Sequence, residues 1–152
     1  MKIEIPQIKD YDDVNRLAIQ VHELHVGWRP DLFISVDEVI SREYFNELIS
    51  NKNIFVAKLE EEIVGYIIFN IREKSVTGMR YRKQLNIDAI CVDEKRRGNG
   101  IGIQILNFIK EVAKENNCTD LYLTVNEENV NAIKIYEKFG MKVKNIAYSM
   151  KI

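Results

Sequence analysis

The sequence predicts one α/β domain built on a mixed β-sheet. Three observations favour this fold class: the 152 residues have the size of a single domain, apolar residues recur at strand and helix spacing, and the segment order changes halfway along the chain. In the first half two strands follow each other directly, as in an antiparallel hairpin. In the second half strands alternate with helices, which requires parallel pairing through a crossover. We expect one domain over residues 1–152, flanked by about four helices.

The first part of the chain is predicted to form a strand and a helix. Residues 2–7 alternate in polarity, as in a short strand, and apolar residues between Val14 and Leu24 recur at helical spacing. Pro30 disfavours helical geometry at the preceding residue, so we expect Gly27 and Trp28 to open a loop.

A second helix and a hairpin follow. The helix is expected to begin near Ser35 or Asp37, either of which could cap it, and to end at about Ile49. Residues 54–59 and 63–71 then form two strands joined by a charged turn.

The second half repeats a strand–helix pattern. In order, we predict a strand over residues 85–92, a helix over 101–116, a strand over 121–125, a helix over 129–139 and a final strand region over 141–152.

Composition and charge exclude several classes of protein. With 46% hydrophobic and 30% charged residues, the chain is an ordinary globular protein. A net charge of −1 gives no general attraction to nucleic acid or to an anionic membrane, and no apolar run could span a bilayer. Two Cys (Cys91 and Cys118) and two His offer neither a disulfide framework nor a metal site of standard spacing. No signal segment opens the sequence, so we expect a cytoplasmic, metal-free protein.

A glycine-rich, basic segment lies between the strand at residues 85–92 and the helix that follows. Gly98, Gly100 and Gly102 stand at alternate positions, directly after three cations, Lys95–Arg97. Glycine allows positive φ and close approach of a ligand to the backbone, while a helix N-terminus presents unpaired N–H groups and a positive dipole end. The segment therefore predicts a phosphate-binding loop.

The spacing of the glycines excludes two common nucleotide-binding motifs. A Walker loop ends in Gly-Lys-Ser/Thr, whereas here Ile101 follows the second glycine. A dinucleotide fingerprint requires a third glycine three positions after the second, and Ile103 or Ile105 stands there. The remaining alternative, a glycine-rich turn without a ligand, leaves the adjacent cations unexplained.

These residues resemble the GNAT family of N-acetyltransferases. Residues 97–102 (Arg-Gly-Asn-Gly-Ile-Gly) match the family signature Arg/Gln-x-x-Gly-x-Gly/Ala, and residues 90–94 resemble its fourth strand. Residues 129–141 are similar to its second motif, Asn-x-x-Ala-x-x-x-Tyr-x-x-x-Gly-Phe, and depart from it only at Met141. The order of the elements agrees along the whole chain.

The resemblance implies an acyltransferase that moves acetyl from acetyl-CoA to a primary amine of a small molecule or peptide, by direct attack in a ternary complex. An alternative on the same fold is a non-catalytic acyl-CoA sensor or assembly domain. Many family members are dimers, so the resemblance also allows a homodimer. The implied acetyl-CoA contacts are Ile90, Cys91, Val92, Arg97, Gly98, Asn99, Gly100, Ile101, Gly102, Ile103, Asn129, Asn131 and Tyr136.

The resemblance also implies catalytic roles. Tyr136 matches the tyrosine that acts as general acid on the leaving sulfur, although it could instead be a core aromatic, and the backbone amide of Val92 would stabilise the oxyanion. The glutamate base of histone-acetylating members maps to Asn86, which cannot accept a proton. Asp88 shares its strand face and is the nearest carboxylate, with a water-mediated base as the open alternative.

The acceptor site is predicted in the first helix–loop–helix region, which forms an acceptor wall in the resembled family. Its candidate residues are His25, Trp28, Arg29 and Asp31, although His25 could simply interact with the C-terminal dipole of its helix. Acidic residues in this region favour a cationic small molecule, and the acceptor is otherwise left open.

Overall fold

A computed structural model describes all 152 residues of the chain. The helices and strands are, in chain order, β1 Lys2–Glu4, α1 Tyr11–Trp28, α2 Arg42–Ser50, β2 Ile54–Leu59, β3 Glu62–Lys74, β4 Arg82–Val92, α3 Ile101–Glu115, β5 Asp120–Leu123 and α4 Val130–Phe139. No helix combines the length and the apolar character needed to cross a membrane.

The five strands form one sheet in the order β1-β2-β3-β4-β5. The first four strands pair antiparallel with their neighbours, and β5 pairs parallel with β4. The predicted fold class is therefore confirmed: a sheet antiparallel in its first half and parallel at β4–β5, with four α-helices.

Two apolar clusters cover the two faces of the sheet. One cluster joins residues of α1 and α2 to the sheet, and the other joins residues of α3 to it. Strand β3 serves both clusters, because alternate side chains point to opposite faces: Tyr66 and Ile68 belong to the first cluster, Ile67 and Phe69 to the second. This double burial explains why β3 reads as a continuous apolar run in the sequence.

The first two helices differ from their predicted bounds. Helix α1 includes Trp28, which was expected in a loop. Helix α2 begins only at Arg42, where Ser41 caps it by accepting a hydrogen bond from the Tyr44 N–H at 3.2 Å. The start near residues 35–37 is wrong because Asn15 of α1 accepts the backbone N–H groups just before Ser41, which holds that segment in an irregular path.

The final strand predicted over residues 141–152 is wrong. After the Met141 N–H, which donates to the Tyr136 carbonyl at 3.0 Å, no residue of this segment makes a backbone hydrogen bond. Alternating polarity identifies a segment able to pair, but a strand exists only where a neighbouring strand accepts its hydrogen bonds.

Candidate active site

The backbone N–H groups of the loop before α3 have no hydrogen-bond acceptors within the protein. No backbone N–H from Arg97 to Ile103 donates to an acceptor within the protein. A helix end alone leaves about four such groups, so the loop extends the run backward by three residues. Gly98 and Gly100 make this path possible, because their φ angles are 82° and 74°, and the space in front of each is open.

Two of the three loop cations are already engaged. Arg96 forms an ion pair with Glu62 at 2.6 Å, and Arg97 donates its Nε–H to the Val92 carbonyl at 3.1 Å. Lys95 and the terminal guanidinium nitrogens of Arg97 have no acidic partner. Positive charge is therefore left at the mouth of the loop, where an anion would gain from it.

Asp93 anchors the base of this loop. Its buried carboxylate accepts a hydrogen bond from Arg16 of α1 at 2.7 Å and another from the Lys95 N–H at 3.0 Å. Burial alone would raise the pKa of this carboxyl, but the Arg16 and Lys95 hydrogen bonds outweigh burial and hold the pKa below its usual value. The loop is thus fixed to α1 as well as to the sheet.

Asp93→Ala should lower the free energy of unfolding by about 1–2 kcal/mol, because Lys95 N–H loses its acceptor and Arg16 its buried partner. Asp13→Ala is the matched control: Asp13 pairs with the same arginine at 3.8 Å but is 59% exposed, so a loss under about 0.5 kcal/mol is expected. Urea denaturation measures both.

The Asp93 contribution should also depend on pH. Since the pKa of Asp93 is lower in the folded than in the unfolded state, the stabilisation is complete above about pH 4 and disappears as pH falls through the folded-state pKa. The stabilities of wild type and Asp93→Ala should therefore converge in acid; a gap that persists at pH 2 contradicts the assigned ion pair.

Strand β4 has an open edge at its C-terminal end. Its pairing with β5 stops at Ile87, opposite Leu123, whereas β4 continues to Val92 and stays paired with β3 on its other side. An extended ligand could therefore add to β4 at residues 88–92 in place of a strand.

The hydrogen bonds around β4 indicate which groups face this open edge. The Asp93 N–H donates to the Val64 carbonyl of the sheet at 2.9 Å, so strand alternation turns the polar groups of Val92 and Ile90 the other way. The hydrogen bond from Arg97 to the Val92 carbonyl agrees with that orientation.

Cys91 lies between these two residues but faces the core. Its thiol is buried, donates to the Leu17 carbonyl at 3.4 Å, and has its pKa raised to about 12 by burial, so it stays protonated. Cys118 is also a free thiol. Nowhere do three His, Cys, Asp or Glu side chains gather closely enough to hold a metal ion.

Helix α4 carries the second predicted motif. Asn129 caps the helix by accepting the Ala132 N–H at 3.2 Å, and Asn131 is exposed. Tyr136 is half-buried and packs against the same apolar cluster as Val92 and Ile90. Burial raises the pKa of its phenol, which makes no hydrogen bond within the protein and so keeps a proton available to a ligand.

Asp88 stands at an irregularity of the sheet. Between β3 and β4 the register shifts so that Ile68 pairs with Ala89 and Phe69 with Ile87, which leaves Asp88 unpaired and exposed. Its carboxylate accepts a hydrogen bond from the Asn70 side chain at 2.5 Å.

Asn70 also organises its other neighbours. Its side-chain oxygen accepts hydrogen bonds from Arg72 at 2.8 Å and from Asn86 at 3.2 Å, so its amide group must donate to Asp88. Asn86 is buried, and its side-chain amide acts only as a hydrogen-bond donor in this network.

Asp88 lies in a cleft of about 360 Å³ between α2 and strands β3 and β4. Tyr44 and Glu47 of α2 and Asn70 and Arg72 of β3 line it as well. The polar residues of β3 were not predicted from the sequence, where their only signal is that Asn70 and Arg72 alternate at the end of an apolar strand. The volume is in the range of small-ligand sites.

The predicted acceptor residues of α1 form a different group. The His25 ring packs edge-on against Trp28 at 5.4 Å, and Arg29 holds Asp31 through two hydrogen bonds of 2.9 and 2.8 Å. The Asp31 hydrogen bond raises the pKa of Arg29 above its usual value, and the negative charge of Glu127 adds to that shift. None of these four residues lines the Asp88 cleft.

Comparisons with known proteins agree with this geometry. Residues 18–141 match the model of the Acetyltransferase (GNAT) family. The chain is 33% identical over 57 residues to the spermine/spermidine N(1)-acetyltransferase of Bacillus subtilis, covering 37% of this chain and 38% of the relative. It is 35% identical over 96 residues to an N-alpha-acetyltransferase of Sulfurisphaera tokodaii, covering 58% and 55%. The match spans about half or less of these curated relatives.

Solved structures match along the whole chain. A mutant of the BH1408 protein from Bacillus halodurans is 30% identical and superposes with a TM-score of 0.95 over 100% of this chain and 99% of its own, so residues after Met141 are included. An aminoglycoside N-acetyltransferase solved with CoA superposes with a TM-score of 0.71 over 99% of each chain at 14% identity, which is a likeness of fold.

Proposed function

The chain belongs to the acetyltransferase (GNAT) family, and on that premise we propose that it transfers the acetyl group of acetyl-CoA to a primary amine by direct attack in a ternary complex. The observation that carries the proposal is the uninterrupted run of free backbone N–H groups from Arg97 to Ile103, at a helix N-terminus that bears uncompensated positive charge. These donors fit a pyrophosphate.

The open edge of β4 supports the position of the cofactor arm. An extended amide-bearing chain can pair with the backbone groups of Ile90 and Val92 that β5 does not reach, as a strand would. We expect Asn129 and Asn131, at the start of α4, to contact the same arm. Acetyl-CoA supplies the thioester carbonyl that the amine attacks.

The residues around this edge have separate chemical tasks. As the new C–N bond forms, charge develops on the carbonyl oxygen, and the Val92 N–H stabilises it. As the C–S bond breaks, the leaving thiolate takes a proton from the Tyr136 hydroxyl. The attacking amine gives up its own proton to Asp88, directly or through water, since amines are protonated at neutral pH.

The acceptor is an amine, and the relatives do not restrict it to one chemical class. One of those relatives is named a spermine/spermidine N(1)-acetyltransferase and the other an N-alpha-acetyltransferase. The cleft beside Asp88, with Glu47 on its opposite wall, supports an acceptor that arrives as a cation. His25, Trp28, Arg29 and Asp31 are proposed as a second wall of the acceptor site.

The first experiment combines acetyl-CoA binding by calorimetry with turnover measured by free-thiol release. Polyamines, aminoglycosides, amino acids and short peptides serve as acceptors. Binding with turnover on one class supports the enzyme and identifies its acceptor. Binding without any turnover favours the alternative, an acyl-CoA sensor, and absence of binding overturns the proposal.

Asp88→Asn should lower kcat about tenfold, less than the usual effect of removing a general base because a water-mediated path remains. Glu47→Gln is its matched control, since it removes a carboxylate from the same cleft and should raise KM for a cationic acceptor with kcat nearly unchanged. If the two variants behave alike, Asp88 acts through charge alone and its assignment as base is wrong.

A further inference from the structure

Arg72, near the end of β3, brings an unpaired positive charge into the Asp88 cleft. Its neighbour Ile71 packs in the cluster that includes α3, so by strand alternation Arg72 lies on the other face of the sheet, that of α1 and α2. Arg72 lines the cleft and donates its Nε–H to the Asn70 side-chain oxygen at 2.8 Å. It forms no ion pair within the protein, so its outer guanidinium nitrogens are free to bind a ligand.

Asn70 holds this cation and the Asp88 carboxylate on the two sides of one amide group. Its oxygen accepts the Arg72 Nε–H, and its nitrogen donates to Asp88 at 2.5 Å. The two opposite charges are therefore neighbours without direct contact. A direct ion pair would neutralise both groups, whereas this arrangement leaves each of them able to bind a group of opposite charge on a ligand.

The span between the two charges fits an α-amino acid. One amide group and two hydrogen bonds separate the Asp88 oxygen from the Arg72 Nε atom. In an α-amino acid a single carbon separates the ammonium group from the carboxylate, a bridge about as wide as that amide group. An ammonium group on Asp88 and a carboxylate on Arg72 therefore reproduce the pattern that Asn70 makes with the same two residues.

The remaining charge of the cleft is a second carboxylate, that of Glu47 on α2. Glu47 forms no ion pair within the protein. With two acids against one arginine, the charged lining of the cleft carries one net negative charge. A ligand with two ammonium groups and one carboxylate would neutralise it.

We propose that the acceptor is an α-amino acid with a cationic side chain, such as lysine, and that it is acetylated on its α-amino group; this rests on the acetyltransferase activity proposed above. The carboxylate binds Arg72 and the side-chain ammonium binds Glu47. The α-amine gives its proton to Asp88 and attacks the thioester. The products are the Nα-acetyl amino acid and CoA, whose sulfur has taken its proton from Tyr136.

Three compounds that differ by one group test the assignment on the full chain. Lysine is compared with cadaverine, which lacks only the carboxylate, and with norleucine, which lacks only the side-chain amine. The kcat/KM from free-thiol release should be at least about tenfold higher for lysine than for either, because each deletion removes one charge-assisted interaction. NMR of the product should show the acetyl group on the α-amine.

Arg72→Gln should abolish the preference for lysine over cadaverine, raising KM for lysine at least about tenfold and changing KM for cadaverine less than about twofold. Glu47→Gln should abolish the preference for lysine over norleucine. Lys74→Gln is the matched control, since it removes the same charge from the same strand outside the cleft, and it should keep both preferences.

Equal kcat/KM for lysine and cadaverine in the wild type overturns this inference but not the acetyltransferase activity, as does acetylation of the side-chain amine or turnover on another class of amine alone. If Arg72→Gln weakens cadaverine as much as lysine, Arg72 only orders Asn70 and the inference is wrong. Absence of turnover on every amine overturns the proposed function instead. Calorimetry on the CoA-loaded protein then decides the inference, which requires lysine to bind more tightly than cadaverine.

Discussion

Gly100→Val is expected to lower acetyl-CoA affinity at least about 100-fold while the protein still folds. Gly100 caps α3 at a φ of 74°, and the space in front of its Cα is open. A branched side chain would occupy that space and keep a pyrophosphate away from the free N–H groups of the loop. Losing two or more charge-assisted hydrogen bonds accounts for the predicted effect.

The conformational strain of this substitution has to be separated from the blocked approach. A left-handed φ costs a valine about 1–2 kcal/mol of stability wherever it occurs. Gly78 provides the control, because it has a φ of 84° and open space in front of it, in the turn between β3 and β4.

Gly78→Val should therefore lose a similar amount of stability in urea denaturation but keep wild-type affinity in calorimetry. Equal affinity in a folded Gly100→Val protein would mean that the loop does not approach the cofactor closely, and the proposed binding site would be wrong.

The sequence predicted those parts of the fold that depend on local pattern or on a family motif. The antiparallel first half of the sheet and the parallel pairing of β4 with β5 follow from the order of strands and helices along the chain, and the loop before α3 follows from three glycines beside three cations. The late start of α2 could not be read locally, because the side chain of Asn15, distant in sequence, takes the N–H groups that would have begun the helix.

The polar residues that β3 contributes to the cleft could not be predicted from the sequence for a related reason. Asn70 and Arg72 end an apolar strand and look like solvent-exposed positions, and only the register shift beside Ile68 and Phe69 brings Asn70 against Asp88. Asp88 itself was found because it is the nearest carboxylate to Asn86 on the strand, although the register shift interrupts the alternation there and leaves Ile87 and Ala89 in opposite clusters. Contacts between strands depend on the pairing register, which cannot be read from a single sequence.

Tyr136→Phe should lower kcat about 100-fold and change the Kd for acetyl-CoA by less than about twofold. Phenylalanine keeps the packing of the ring against the apolar cluster of α3, so binding and stability are preserved. The hydroxyl alone is lost, and with it the proton for the leaving thiolate. Tyr81→Phe, which removes a phenol from an exposed position between β3 and β4, is the control and should behave as wild type.

The pH profile distinguishes a general acid from a packing residue at position 136. An acid works only while protonated, and burial raises the pKa of Tyr136 above its usual value of 10.0. The decline in wild-type kcat caused by this group should therefore appear only above pH 10, and Tyr136→Phe should lack it. If the variant loses kcat and cofactor affinity in equal measure, Tyr136 holds the site together and another group protonates the sulfur.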